Sequence, residues 1–165
     1  MSRLRTRPQP GFFMRKSLTI IILLLVSVVS LHAQTPVEDV ILNYEGAKGA
    51  RSFIAQGVRM ALARQLMKAT QVAPVASDVD RLYVLKMDNA DSDARSEFVH
   101  DLYRALADYR YYGQCPSKNG EVDVYYMSNG KDNVQELVIY NPATFSLNSL
   151  YGDFTYKQLV ALDTE

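Results

Sequence analysis

The sequence predicts an α+β domain with a two-layer architecture, in which a mostly antiparallel sheet ends in a three-strand meander and helices pack mainly on one face. Two observations lead to this class. Helical and strand periodicities alternate downstream of residue 33, and the last third of the chain is strand-rich, which gives the order α-β-α-β-α-β-β-β-α. Consecutive strands joined by short turns pair antiparallel, and helices then cover the sheet that they form.

The first helix is predicted to begin after Thr35. Thr35 suits an N-cap, Pro36 follows at the first helical position, and Glu38 stands three residues after the cap. Gly46 is a suitable end. Between these limits apolar residues recur with helical spacing, at Val37, Val40, Ile41 and Tyr44.

A short strand at 52–55 and a helix from about 58 to 69 are predicted next, separated by Gly57. The strand is the weaker of the two predictions, because Ser52 and Phe53 could also open the helix. The helix is indicated by an apolar stripe made of Val58, Ala61, Leu62, Leu66 and Ala69.

The segment 82–87 is apolar on both faces apart from Lys86, as is typical of a central strand. The longest helix is predicted over 92–111 and is ended by Gly113 or by the pair Cys115-Pro116. Its core face is expected to contain Phe98, Val99, Leu102, Tyr103, Leu106 and Tyr109.

In the last third, Asn129-Gly130 is typical of a hairpin turn and is predicted to join antiparallel strands at 122–127 and 134–140. A third consecutive strand at 145–151 and a short helix at about 155–162 complete the domain. In its core we expect Phe98, Leu102 and Leu106 to be buried together with Leu82, Val84 and Val138.

The N-terminal part is predicted to be a targeting segment. Residues 1–13 are interpreted as an over-long extension and residues 14–33 as a signal peptide, with Arg15 and Lys16 before an apolar stretch and Ala33 at the cleavage site. A membrane anchor is the alternative, but the uncharged run 17–31 is shorter than the ~20 residues that a spanning helix needs. Residues 34–165 are then a single domain, without a stable membrane span after cleavage.

Charge and cysteine content restrict the partners of this domain. The chain has 18 basic and 18 acidic residues, and five of the basic ones lie before residue 34, which leaves a net charge of −5. Such a composition predicts no basic surface that would attract nucleic acid or anionic lipid. Cys115 is the only cysteine and position 34 is Gln, so neither an intrachain disulfide nor a lipoprotein anchor is expected. The predicted location is periplasmic or extracellular.

Few residues suggest catalysis or a cofactor. No catalytic residue, metal ligand or cofactor is predicted. His100 is the only histidine after residue 33, and Cys115 has no histidine near it in sequence. The acids Asp88, Asp91, Asp93 and Glu97 do not match the calcium-loop spacing and are interpreted as helix-capping residues. The segment 46–52 resembles a phosphate loop only faintly and is interpreted as a turn.

Tyrosine is the residue type that most suggests a binding surface. All eleven tyrosines lie after residue 33. Tyrosine is favoured at recognition surfaces because it combines rigid area with a hydroxyl group, although partly buried packing is the commoner role. The candidate binding residues are Tyr109, Tyr111, Tyr112, Tyr125 and Tyr126.

The chain resembles a family of small exported bacterial domains of unknown function, number 4252, found mainly in Bacteroidetes-type Gram-negative bacteria. The resemblance is carried by TPVEDVILNYEGAKGARSFIAQGVRMALARQLM, LYVLKMDN, VDVYYMSNGKDNVQELVIYN and LYGDFTYKQLVAL, over nearly all of 36–162. It implies an exported envelope protein and brings no catalytic residues.

Three classes of function remain open at this point. The favoured one is a non-enzymatic binding module for an envelope protein, peptide or glycan. The alternatives are a carboxylate-dependent hydrolase and a structural or assembly accessory protein.

Overall fold

Six antiparallel strands and four α-helices make up residues 34–130 and 132–162, the part of the chain that this computed structural model describes. The predictions for 1–13 and 14–33 lie outside the described residues. The helices are α1 (Pro36–Tyr44), α2 (Val58–Met67), α3 (Ser92–Ala105) and α4 (Tyr156–Ala161). The strands are β1 (Arg51–Gln56), β2 (Val79–Lys86), β3 (Arg110–Ser117), β4 (Gly120–Ser128), β5 (Asn133–Asn141) and β6 (Ser146–Thr155). Short 3₁₀ turns occur at Ala73–Val75 and Leu106–Asp108.

All strands belong to one sheet with the order β1-β2-β6-β5-β4-β3. The predicted hairpin is confirmed, because β4 and β5 pair antiparallel around Asn129-Gly130 with Tyr125 opposite Val138. The predicted meander is confirmed as well, since β6 pairs with β5 and then with β2. The α+β class and the antiparallel sheet are therefore as predicted.

One strand was missed by the sequence analysis. The helix predicted over 92–111 ends at Ala105, and after a 3₁₀ turn the chain continues as β3 at the edge of the sheet. Pro116 fits there because an edge strand does not need every backbone N–H for pairing. Tyr111 and Tyr112 accordingly lie on a strand and not on the last turn of a helix.

The helices are shared between both faces of the sheet, which differs from packing mainly on one face. The physical reason is β2, whose successive residues are apolar and point to opposite faces, so both faces need cover. The α1–α3 face buries Tyr83, Leu85, Val138, Tyr140 and Leu147 beneath Val37, Ile41, Phe98, Leu102 and Leu106. The α2–α4 face buries Leu82, Leu137, Leu150 and Phe154 with Met60, Ala63, Met67 and Leu159.

The expected grouping of core residues is therefore partly corrected. Phe98, Leu102 and Leu106 are buried with Val138, but Leu82 and Val84 lie on the opposite face. Tyr83 and Leu85 take their place, because a shift of one residue along a strand exchanges the two faces.

Helix α2 is rotated relative to the prediction. Its buried residues are Met60, Ala63 and Met67, whereas Val58, Leu62 and Leu66 are exposed. One side-chain contact is consistent with this rotation, since Arg64 Nε donates to the carbonyl oxygen of Val79 at 2.9 Å. The apolar stripe that indicated the helix thus lies on its outer side.

The predicted helix starts are confirmed in detail. Thr35 and Glu38 form a reciprocal capping box at α1, and Asp91 Oδ1 accepts from the backbone N–H of Ala94 at the start of α3. A second capping box, of Thr155 and Gln158, begins α4. Of the helices in the described part of the chain, none is long and apolar enough to span a bilayer.

Candidate functional site

An apolar groove crosses the α2–α4 face of the sheet. Its cavity has a volume of about 330 Å³ and is open to solvent on one side. The floor comes from β2, β4, β5 and β6, the walls from the end of α2 with residues 70–72, from β3 and from the end of α4. The apolar lining is Met67, Val72, Leu82, Val84, Cys115, Pro116, Val122, Val124, Ile139, Leu150 and Leu162.

The groove exists because the helices on this face are short. Helix α2 has ten residues and α4 has six, so together they cover only part of a six-strand sheet. The outward-pointing residues Val84, Val122 and Ile139 are left half-buried. On a monomeric domain, a concave apolar surface of this size is typical of a ligand site.

Polar groups also line the groove, and four of them lie at one end. Ser117, Asn119, Asn141 and Ser146 lie in or next to the β3–β4 and β5–β6 turns, which are neighbours at the same end of the strands. The Asn141 amide donates to the Asn119 carbonyl oxygen at 3.3 Å and its Oδ1 accepts from two backbone N–H groups, so this end is ordered. Among the described residues of the lining, Cys115 is the one with a titratable side chain.

The five candidate tyrosines do not form one surface. Tyr111 and Tyr125 lie opposite each other on β3 and β4, with ring centroids 5.1 Å apart and Tyr111 55% exposed. Both point to the α1–α3 face. Burial, followed by the neighbouring Tyr103, raises the pKa of Tyr125 to about 12, so its hydroxyl is neutral at physiological pH.

The other three candidates lie elsewhere. Tyr126 packs against the core of the α2–α4 face and contacts the Tyr156 ring edge-on at 6.2 Å. Tyr112 packs against the same core. Tyr109 is buried on the α1–α3 face, where it cannot contact a partner directly. Alternation along a strand separates residues that are adjacent in sequence, and this divides the tyrosine clusters between two faces.

A buried polar network lies beneath α1, and sequence analysis did not identify it. Glu136 on β5 is fully buried and accepts three hydrogen bonds. The donors are the hydroxyls of Thr35 at 3.0 Å, Ser149 at 2.7 Å and Tyr109 at 2.5 Å. Burial raises the pKa of Glu136, and the hydrogen bonds from the three hydroxyls oppose that increase.

A second buried carboxylate shares this network. Glu38, besides capping α1, lies with its Oε1 3.1 Å from Nη2 of Arg81. The two atoms form an ion pair without an aligned hydrogen bond. The Arg81 guanidinium also stacks on the Tyr151 ring, 4.0 Å from its centroid. Burial raises the pKa of Glu38, against the lowering effects of the Thr35 backbone and Arg81.

The network holds two carboxylates near one cation, which is the kind of pair that acid–base catalysis uses. However, Glu38 and Glu136 have no exposed surface, so a substrate cannot reach their oxygens in this conformation. Burial with multiple hydrogen bonds is typical of a structural network. The sequence did contain a signal: Glu136 shares a strand face with Val138 and Tyr140, where a solvated carboxylate would be out of place.

The remaining candidates are accounted for by local structure. His100 is on the exposed side of α3 next to Asp101 and Arg104. Asp88 pairs with Arg51 at 2.6 Å, and Asp91 caps α3. Across the described ranges, no three His, Cys, Asp or Glu side chains converge as a metal ion would require. The segment 46–49 is a turn whose Gly49 approaches the backbone at Asn89.

Fold and groove together define a small α+β domain with a preformed apolar cavity. The chain belongs to the family described as "Domain of unknown function (DUF4252)", whose model matches residues 44–162. This confirms the resemblance seen in the sequence, although the match begins at Tyr44, the last residue of α1. Searches of curated proteins and of solved structures returned no match.

Proposed function

We propose that this chain is an exported, non-enzymatic binding domain whose groove receives a small apolar ligand with one uncharged, hydrogen-bonding end. The proposal rests on the composition of the groove. Among the described residues, its lining combines aliphatic side chains with amides and hydroxyls, four of them at one end, and includes no carboxylate, imidazole, Lys or Arg side chain. A site of this kind suits uncharged ligands, because an ion would lose its hydration without gaining a counter-charge.

The volume restricts the ligand further. A cavity of about 330 Å³ is at the small end of ligand sites, which run from roughly 300 to 1,000 Å³. A large sugar would also find few aromatic faces to stack on, since the apolar lining is aliphatic. These features favour the binding module over the hydrolase, whose carboxylates would have to be accessible.

The neutral fluorescent probe N-phenyl-1-naphthylamine tests the groove. We expect it to bind the protein with enhanced fluorescence, and we expect Val122→Phe to weaken binding at least tenfold. The larger ring would occupy cavity space that the half-buried Val122 leaves open. Fluorescence titration of both proteins measures the effect.

Met127→Phe is the matched control, because Met127 is half-buried on the same strand but faces the α1–α3 side. Its probe affinity should equal that of the unmodified protein. Equal affinities for all three proteins would show that the probe does not use the groove, and absence of any binding would contradict the proposed ligand class.

Export is the second part of the proposal and is supported by the sequence pattern at 14–33. We expect cells that express the full-length gene to release a protein that begins at Gln34. Intact-mass measurement of envelope and culture fractions checks this expectation. Recovery of a chain that retains 14–33 from the integral-membrane fraction would contradict it.

A second binding surface is supported by Tyr111 and Tyr125, which pair on the opposite face near the polar side chains of Gln114 and Asp123. Such a surface suits a peptide or glycan from the envelope. Tyr111→Ala should leave probe binding in the groove unchanged, while it weakens capture of that partner in an envelope pull-down.

A further inference from the structure

Helix α2 presents apolar residues to solvent along one line. Val58, Leu62 and Leu66 are spaced four residues apart and are 93%, 68% and 63% exposed. Their opposite side, at Met60, Ala63 and Met67, is buried against the sheet. We name Val58, Leu62 and Leu66 the outer stripe. Because the inner residues already hold α2 in place, the core does not require large aliphatic side chains on the outside.

The charged residues of the chain segment that contains the outer stripe are all basic. From residue 46 to residue 77 the chain has five basic residues and no acidic one, although residues 34–165 as a whole carry a net charge of −5. Successive residues of a helix are 100° apart, so Arg59 lies beside the stripe, about 60° from its middle. Lys68, at the C-cap, lies about 120° away on the other side, and Arg64 points toward the sheet. Arg64 is held by Asp80 at 3.2 Å, whereas Arg59 and Lys68 are exposed.

We propose that the outer stripe docks on the surface of a phospholipid bilayer that contains anionic lipid. An apolar ridge in a basic segment matches such a surface: the aliphatic side chains enter the boundary between headgroups and acyl chains. Arg59 beside the ridge and Lys68 at the end of the helix have long side chains that can remain at the phosphates. The net charge of −5 for residues 34–165 does not reveal the basic segment 46–77. Docking is peripheral, because three side chains on a ten-residue helix give only reversible attachment.

Two other occupants fit the stripe less well. A second copy of this chain would bring the same basic segment against itself in a symmetric dimer, where Arg59 and Lys68 have no acidic partner on the patch. A protein partner would need a deep groove to receive a ridge as exposed as Val58. A lipid surface is deformable and needs no such groove.

The experiment uses processed protein made from the full-length gene and sedimented with lipid vesicles. We expect binding to vesicles of phosphatidylglycerol and phosphatidylethanolamine, with little binding to phosphatidylcholine alone. The double variant Leu62→Ser and Leu66→Ser should bind at least tenfold more weakly. Arg59→Gln and Lys68→Gln should each cost about fivefold, the factor for one basic residue near an anionic surface. About 0.5 M salt should weaken binding of the unmodified protein, because it screens these charges.

Helix α4 provides matched controls on the same sheet face. Val160 is an exposed aliphatic residue and Lys157 an exposed lysine, so Val160→Ser and Lys157→Gln repeat the chemical changes away from α2. Both should bind vesicles like the unmodified protein, and circular dichroism should show that all variants are folded. Equal vesicle binding by the α2 and α4 variants, or no binding by the unmodified protein, would overturn the proposal. A dimer in ultracentrifugation that the Leu62 and Leu66 changes dissociate would instead assign the stripe to a second copy.

Discussion

Replacing Arg81 by Met is expected to lower the free energy of unfolding at pH 7 by about 3–5 kcal/mol. The reason is that Glu38 and Glu136, both fully buried, would lose the cation that pairs with one and lowers the pKa of both. Leaving a buried charge without its partner has a cost of this size. Urea unfolding followed by circular dichroism measures the difference, and a loss below 1 kcal/mol would contradict the role given to Arg81.

The pH dependence of this variant has a defined sign. The pKa values of Glu38 and Glu136 are raised in the folded protein, and removal of Arg81 raises them further. A raised folded pKa means that the folded state binds protons more tightly, so its stability falls as pH rises above the unfolded value near 4.5. The deficit of Arg81→Met should therefore be smaller at pH 4 than at pH 7. Adding Glu38→Gln should recover part of the loss, whereas Arg51→Met, which breaks the exposed pair with Asp88, should change little.

Replacing Gly49 by Ala is expected to destabilise the protein by about 3 kcal/mol, the second large effect. Gly49 has φ +84, where an L side chain costs about 1–2 kcal/mol. In addition, its Cβ would lie 2.1 Å from the carbonyl oxygen of Asn89, so the backbone of one of the two segments must move, which adds about 1–3 kcal/mol. Thermal and urea unfolding measure the loss.

Gly46 offers a control in the same turn. A Cβ at Gly46 would have no neighbour within 4 Å, and its φ is not in the left-handed region, so Gly46→Ala should be nearly neutral. Similar losses for the two variants would show that the turn as a whole is sensitive to substitution, and not the contact at Asn89. The comparison also explains one of the two glycines that gave 46–52 its faint likeness to a phosphate loop, because Gly49 is required by close packing against the backbone at Asn89.

Local signals in the sequence were sufficient to predict most of the helices and strands. Thr35 with Glu38 specified the start of α1, and Asn129-Gly130 specified the β4–β5 hairpin, because each signal depends only on residues close in sequence. The missed strand had a similar signal. Asn119-Gly120 lies at the β3–β4 turn, and Gly120 has φ +100. However, the helical period was followed through Tyr109 to residue 111, and the segment before this turn was not assigned to a strand.

Features that depend on contacts between residues distant in sequence could not be predicted from local signals. Helix α2 has two apolar sides with similar spacing, and periodicity alone does not say whether Met60 or Leu62 faces the sheet. The groove likewise depends on how far two short helices extend over a sheet. Glu38 was assigned as a capping residue, but its pairing with Arg81 joins residues 43 positions apart, and only the fold brings them together.

The hydrogen bond from Thr35 to Glu136 limits where the N-terminus can be trimmed. Thr35 supplies a donor to a buried carboxylate, and Gln34 is the one residue between Thr35 and the predicted cleavage site after Ala33. A protease that cut two residues further along would remove that donor together with the cap of α1, and would place a new charged amino terminus beside the interior of the domain. If the predicted cleavage takes place, its tolerance for imprecision is therefore a single residue, and chains that begin after Thr35 should be absent from the folded population.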